Sequence, residues 1–350
     1  MAEPTRELTP QMVQTPRLAM NVWTSGPQDG RPVLLVHGNI TTGGYWRYVA
    51  DLLPDDVRVI APDLRCFGRT EAKPVDATRG LGDMADDVHG LLEMLGLSGQ
   101  GDVVAAGWSM GGGILQQYLL DHPGDLGAVV LVAPISPYGF GGTKGADGEP
   151  CTTDFAGSGG GTAAPDFVQR MKAGDRSDTE GSPRVVLQAF FGARGNAPNV
   201  DEDFLLEETL LTAVGDDFYP GTTTTTESWP GVAPGDRGVL NAMAPAHFDT
   251  SGLPDIDDKP AITWVRALQD QVISDTSGFD FALLGQLGVV AGWPGADTMP
   301  PQPMHQQIQA VLDRYAANGG EVRVVTLADC AHGVPLEDPQ AVADAISAYL

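Results

Sequence analysis

Short apolar runs recur between Leu18 and Pro134: Val33 to Val36, Val57 to Ala61, Val103 to Ala106 and Ala128 to Ala133. Runs this rich in Val, Leu, Ile and Ala suit strands covered on both faces. Between the second and third, Leu81, Met84, Val88, Leu91, Leu92 and Leu95 keep helical spacing, while Asp83, Asp86, Asp87 and Glu93 take the opposite side. The spacing predicts a helix lying on a sheet. Strand and helix alternating in this way predict β-α units and a parallel sheet.

After Pro134 the rhythm stops. Residues 138 to 164 are crowded with Gly and Pro, and Gly157-Ser158-Gly159-Gly160-Gly161 cannot hold a regular helix. Helical segments are predicted around Phe167 to Met171, Arg184 to Phe191 and Asp203 to Ala213, followed by the Thr222 to Thr226 tract. The strand pattern resumes at Ala261 to Val265. An amphipathic helix follows from Met304 to Tyr315 with a Gly319-Gly320 stop, then a strand from Val322 to Leu327 and a helix from Pro339 to Leu350. A structureless loop as long as residues 138–258 would be unusual in a compact domain. The chain is therefore expected to have a core in two parts, 1–137 and 259–350, with 138–258 inserted as a cap. Tyr138, Phe140 and Phe155 among the glycines suggest that the start of this cap is a mobile lid over an apolar pocket.

Composition narrows the function classes. A formal charge of −26, with 20 Lys and Arg in all, argues against nucleic acid or an anionic membrane as partner, because phosphate contacts need clustered cations. No apolar run approaches the length of a membrane span. The start, Met1-Ala2-Glu3-Pro4-Thr5-Arg6-Glu7, has acidic residues and no apolar core behind it, so no secretory signal is expected and the cytoplasm is the expected location. Cys66, Cys151 and Cys330 are too far apart for a zinc site or a disulfide framework.

The candidate chemistry begins at Gly107-Trp108-Ser109-Met110-Gly111-Gly112, directly after the run Val103 to Ala106. Small residues two positions before and after Ser109 permit a sharp strand-to-helix turn that presents the hydroxyl at the sheet's carboxyl edge. The helix predicted from Met110 to Asp121 points its N-terminus at the same spot, where N–H groups favour developing negative charge. A serine nucleophile needs a base and a carboxylate to orient that base. His332, in the loop after the last strand, is the expected base, and Asp270, in the loop after the preceding strand, the expected acid. Asp275 is the competitor, read as a helix cap or turn residue. The backbone N–H groups of Asn39 and Met110 are the expected oxyanion donors. His37 is read as structural. Trp108, Trp46 and Tyr138 are candidates to line a substrate pocket, although large aromatics at such positions also serve as core.

These motifs together resemble the α/β-hydrolase superfamily. The resemblance rests on His37-Gly38-Asn39, Ala61-Pro62-Asp63-Leu64-Arg65 with Gly68-Arg69-Thr70, the Gly107 to Gly112 turn, and His332 through Leu336-Glu337-Asp338-Pro339, all in the right order. It implies a mostly parallel eight-stranded sheet with helices on both faces, a serine triad and no cofactor or metal. Its departures are Cys66 and Ala331, which stand where glycine is common. The expected activity is hydrolysis of a carboxylic ester or lactone of a small to medium, apolar molecule through an acyl-enzyme. Amide, carbon–carbon or perhydrolase chemistry by the same triad is the alternative, as is a receptor that binds a small ligand with little turnover. His37-Gly38-Asn39 is also similar to haloalkane dehalogenases, but those enzymes use an aspartate nucleophile. The sequence is silent on oligomeric state.

Overall fold

The structure, a computed structural model, describes residues 6–190 and 200–350. One eight-stranded sheet is built from β1 (Thr9–Gln14), β2 (Ala19–Ser25), β3 (Arg31–Val36), β4 (Val57–Pro62), β5 (Val103–Trp108), β6 (Leu126–Val132), β7 (Ala261–Ala267) and β8 (Val322–Leu327). Their order across the sheet is β1-β2-β4-β3-β5-β6-β7-β8. The pairings of β3 with β4 and with β5, and those from β5 through β8, are parallel, while β2 runs antiparallel to β1 and β4. The helices used below are α1 (Gly82–Met94), α2 (Met110–Asp121), α3 (Pro165–Ala173), α4 (Pro183–Phe190), α5 (Glu202–Thr209), α6 (Met304–Ala317) and α7 (Pro339–Ser347).

Alternate residues of the central strands go to opposite cores, which is why these strands read as continuous apolar runs. Leu34, Val36 and Ala105 pack with α1, α2 and α6 on one face, and Val33, Leu35, Val104 and Ala106 pack with α7 on the other. The pattern-based strands agree with the structure to within a residue or two. The β1–β2 hairpin escaped that pattern because β1 is exposed along almost its whole length and β2 interleaves Asn21 and Thr24 with its apolar residues. The helix expected from Arg184 to Phe191 spans Pro183–Phe190, and Phe191 lies outside the described residues. That expected from Asp203 to Ala213 stops at Thr209, where the chain turns so that Ala213 N–H can donate to Cys66 O at 2.7 Å.

From β3 the chain goes first to β4 on one side and then to β5 on the other. Such a switch point leaves a crevice at the strands' carboxyl ends. Val36 of β3 lies opposite Gly107 of β5, and Ala267 of β7 lies opposite Leu327 of β8. The parallel register therefore delivers the loops after β3, β5, β7 and β8 to one edge of the sheet.

The segment from 138 to 258 adds α3, α4, α5 and three two-strand pairs. Its glycine-rich start is packed against the rest of the segment. Gly157, Ser158, Gly159 and Gly160 are buried, and Gly160 N–H donates to Asn241 Oδ1 at 2.8 Å while Asn241 Nδ2 donates to Thr222 O and Arg237 O. Backbone bonds also tie the insert to the core: Val75 N–H to Asp217 O, Ala77 N–H to Asp236 O and Gly238 N–H to Val75 O, at 2.9 to 3.0 Å. Buried backbone groups need partners, and one side chain, Asn241, serves Gly160 in the glycine run and Thr222, Gly235 and Arg237 beyond it. Among the described residues, no helix is long and apolar enough to cross a membrane, and no group of three or more His, Cys, Asp and Glu could hold a metal.

Candidate active site

β5 ends at Trp108 and α2 begins at Met110, so Ser109 alone turns the chain. Its φ of 57° and ψ of −117° are strained for a residue with a side chain, a cost of about 1–3 kcal/mol that persists only where neighbours over-determine the geometry. They do so here. Ser109 N–H donates to Val132 O at 3.0 Å, and Ser109 O accepts from the N–H groups of Gly112, Gly113 and Ile135 at 3.0 to 3.2 Å. The turn leaves no room for side chains beside it: a Cβ on Gly107 would stand 2.4 Å from Gly111 O, and one on Gly111 would stand 2.2 Å from Val36 O.

The loop after β3 passes over this turn, with the Cβ position of Gly38 3.2 Å from Ser109 Cβ. Gly38 O accepts from His37 Nδ1–H at 2.7 Å and from Thr41 Oγ1–H at 2.9 Å. In a trans peptide the N–H points opposite to the C=O, so these two donors also set the direction of the Asn39 N–H. His37 Nε2 accepts from Leu64 N–H at 2.9 Å. The imidazole is thus held as one neutral tautomer, and burial pushes its pKa down to about 3. Asn39 Oδ1 is buried with no hydrogen-bond partner among the described residues. Met110 opens α2, where first-turn N–H groups have no carbonyl behind them in the helix.

The loops after β7 and β8 run side by side. Leu268 N–H donates to Leu327 O and Gln269 N–H to Cys330 O, at 2.9 and 3.0 Å. This zipper brings Asp270 and His332 together, with His332 Nδ1–H donating to Asp270 Oδ2 at 2.8 Å. Asp270 Oδ1 accepts from the N–H groups of Val272 and Ile273 at 2.7 and 2.9 Å, which fixes the carboxylate. Asp275 is placed elsewhere: its Oδ1 accepts from His305 N–H and Gln306 N–H in the first turn of α6. Trp108, the residue before Ser109, donates its indole N–H to His332 O at 2.8 Å, so the histidine loop lies against the elbow.

Trp108 and Trp46 were candidates for a pocket wall. The structure places both in the packed interior at 0% exposure, within the α7-side core. Tyr138 is also buried, with its hydroxyl accepting from Arg314 Nη2 at 2.9 Å and Gly148 against its ring. Burial depends on what arrives from distant parts of the chain, and here the partners of Trp108 and Tyr138 come from residues 332 and 314. The residue pattern also did not single out Thr41, which braces the loop over the elbow, or Glu208 of α5. Glu208, 1% exposed, accepts from Thr42 Oγ1–H at 2.7 Å and pairs with Arg69 at 2.8 Å. The signal for Glu208 would have been an acidic residue on the apolar side of α5, between Leu205 and Thr209.

Comparison with known proteins agrees with this architecture. A model of the alpha/beta hydrolase family matches residues 33–345. A cis-3-alkyl-4-alkyloxetan-2-one decarboxylase of Xanthomonas campestris is 32% identical over 126 residues, covering 31% of this chain and 42% of that protein. A 2-hydroxymuconate semialdehyde hydrolase of a Pseudomonas species is 36% identical over 106 residues, covering 29% and 36%. The match thus spans less than half the length of these relatives. An esterase structure from Exiguobacterium antarcticum superposes with a TM-score of 0.57 at 16% identity, over 97% of this chain and 99% of that one, which is a likeness of fold. The chain belongs to the alpha/beta hydrolase family.

Proposed function

We propose that this protein is a serine hydrolase that cleaves a carboxylic ester or lactone of a small to medium, apolar molecule through an acyl-enzyme. The observation that carries the reading is the Asp270–His332 bond of 2.8 Å beside a strained serine turn. Ser109 Oγ attacks the carbonyl carbon while His332 Nε2 takes its proton, and Asp270 stabilises the imidazolium. The N–H groups of Met110 and Asn39 receive the oxyanion, and fixed donors of this kind are worth about 2.7–4 kcal/mol each in such sites. His332 returns the proton to the leaving alkoxide. Water, deprotonated by the same imidazole, then releases the acid and restores Ser109. Residues 138–258 act as the cap that shapes the pocket between the two parts of the core, and α5 couples the cap to the loop over the elbow through Glu208.

The name of the Xanthomonas relative supports a lactone as the ligand class, since an oxetan-2-one is a cyclic ester, while the reaction it names is decarboxylation rather than hydrolysis. The Pseudomonas relative's name, a semialdehyde hydrolase, favours a second reading in which the same triad acts on a bond other than an ester. The test is a phosphonate label together with a panel of aliphatic and aromatic esters, lactones, amides and vinylogous diketones. Ser109 should be labelled, Ser109→Ala and His332→Ala should not be, and esters or lactones should turn over fastest. Labelling that survives both changes removes the triad. Turnover confined to diketones selects the second reading, and tight binding with no turnover selects a receptor.

A further inference from the structure

His332 sits between the end of β8 and the helical turn Val334–Glu337, in a stretch without regular hydrogen bonding. A base in such a loop loses its aim unless the backbone around it is held. We propose, on the basis of the triad reading above, that Glu337 and Trp108 are positioning residues that fix the direction of the His332 imidazole by gripping the peptide groups on either side of it.

Two peptide groups are each held at both ends. In the Cys330–Ala331 peptide, the carbonyl accepts from Gln269 N–H at 3.0 Å and the N–H of Ala331 donates to Glu337 Oε2 at 3.0 Å. In the His332–Gly333 peptide, the carbonyl accepts from Trp108 Nε1–H at 2.8 Å and the N–H of Gly333 donates to Glu337 Oε1 at 3.2 Å. The C=O and N–H of a trans peptide point in opposite directions, so a partner at each end locks the plane against rotation. Glu337 is common to both planes and spans the histidine with its two oxygens. Trp108 joins one of them to the elbow, being the neighbour of Ser109 in the chain. Its ring also lies 5.7 Å from the imidazole, tilted by 39°. Base and nucleophile are thereby aligned through one indole N–H, and Gln269 brings the residue before Asp270 into the same frame.

The chemistry needs this because general-base transfer falls steeply with misalignment, and a displacement of about 1 Å can cost about a hundredfold in rate. Glu337→Gln keeps the size but replaces one acceptor oxygen by a donor, so one of the two N–H groups loses its partner. Trp108→Phe keeps a ring and removes the donor.

The experiment measures the rate of phosphonate labelling, kcat and KM for an activated ester, and Tm, on the full chain with Ser109→Ala alongside. In Glu337→Gln and in Trp108→Phe, labelling and kcat should fall about ten- to a hundredfold per folded molecule, with KM changing less than about threefold. A lower Tm with an unchanged labelling rate in folded Glu337→Gln overturns the proposal, and this variant decides the matter if Trp108→Phe does not fold. Labelling that persists in Ser109→Ala instead sinks the triad itself, which separates the two failures.

Discussion

Two stretches of this chain set a serine among glycines, Gly107 to Gly113 in the core and Gly157 to Gly161 in the inserted segment, and the fold treats them differently. At the first, a buried strand runs directly into a helix, and Ser109 takes a left-handed backbone held by four hydrogen bonds of its own N–H and C=O. At the second, no strand arrives and the stretch ends in a short 3₁₀ turn, Gly160–Thr162. Ser158 Oγ simply donates to Phe155 O at 2.7 Å, a local turn bond. Glycine in the elbow admits backbone carbonyls from β3, whereas glycine in the insert admits the Asn241 side chain. A serine flanked by glycines becomes a site through the elements on either side of it, together with the loops that the sheet brings alongside.

The comparison is broken most severely at the partners those loops supply. Asp270→Asn preserves size but removes the charge that orients His332 and stabilises its protonated form, so turnover of an activated ester should drop by about 10⁴-fold, as in the serine protease template. Asp275→Asn should keep catalysis largely intact and change stability little, because Asn Oδ1 still accepts from His305 and Gln306 N–H and Asn caps a helix about as well as Asp. Steady-state kinetics and thermal unfolding of both variants decide it. The reverse outcome moves the acid five residues along the loop.

Next come the glycines themselves. Gly111→Ala drives a Cβ to 2.2 Å from Val36 O and 2.6 Å from His37 O, both backbone atoms at the end of β3. Gly159→Ala meets Asn241 Oδ1 at 2.4 Å and Pro234 Cα at 2.8 Å, at a φ of +80°. Each should cost about 1–3 kcal/mol in urea unfolding. Turnover per folded molecule should collapse in Gly111→Ala and hold within a few fold in Gly159→Ala. Equal losses of turnover in both would show that the insert's glycine run also shapes the reacting centre.

Much of this contrast was legible in the residue pattern. The apolar runs located the central strands because those strands are buried on both faces, and chain order placed Ser109, Asp270 and His332 in loops that the register does bring to one edge. Side-chain surroundings were harder to read. The composition of the glycine run does not show that Asn241 packs against Gly159 and accepts from Gly160 N–H. Trp46 and Trp108 suggested a pocket because an aromatic beside a nucleophile has the same letter whether it faces a ligand or the core. What decides between these is contact across long separations, such as Trp108 with His332, and no local spacing encodes it.

The loop over the elbow should also set the acid limit of the core. Folded His37 stays neutral down to about pH 3 because burial opposes its charge, whereas in the unfolded chain it protonates near pH 6.5. Between those values the unfolded state binds a proton that the native state does not. Stability attributable to this group is therefore full above about pH 6.5 and is lost as pH falls towards 3, by up to about 1.4 kcal/mol per pH unit. In His37→Asn, unfolding free energy measured from pH 7 to 4 should fall less steeply by that amount. An unchanged slope would mean that His37 is not buried as a neutral ring.

The smallest effect is expected at the second serine. Ser158→Ala removes the hydroxyl that donates to Phe155 O and leaves a partly buried carbonyl without that bond, a loss of about 0.5–1.5 kcal/mol. Among the described residues its hydroxyl bonds to a backbone carbonyl and to no base, and Gly141 packs against its Cβ. Tm should fall by a few degrees, while phosphonate labelling and kcat stay at wild-type values. A tenfold loss of labelling in a folded Ser158→Ala variant would erase the distinction between the two serines, because a turn hydroxyl with no base beside it has no means of reaching the phosphonate or of changing the reactivity of Ser109.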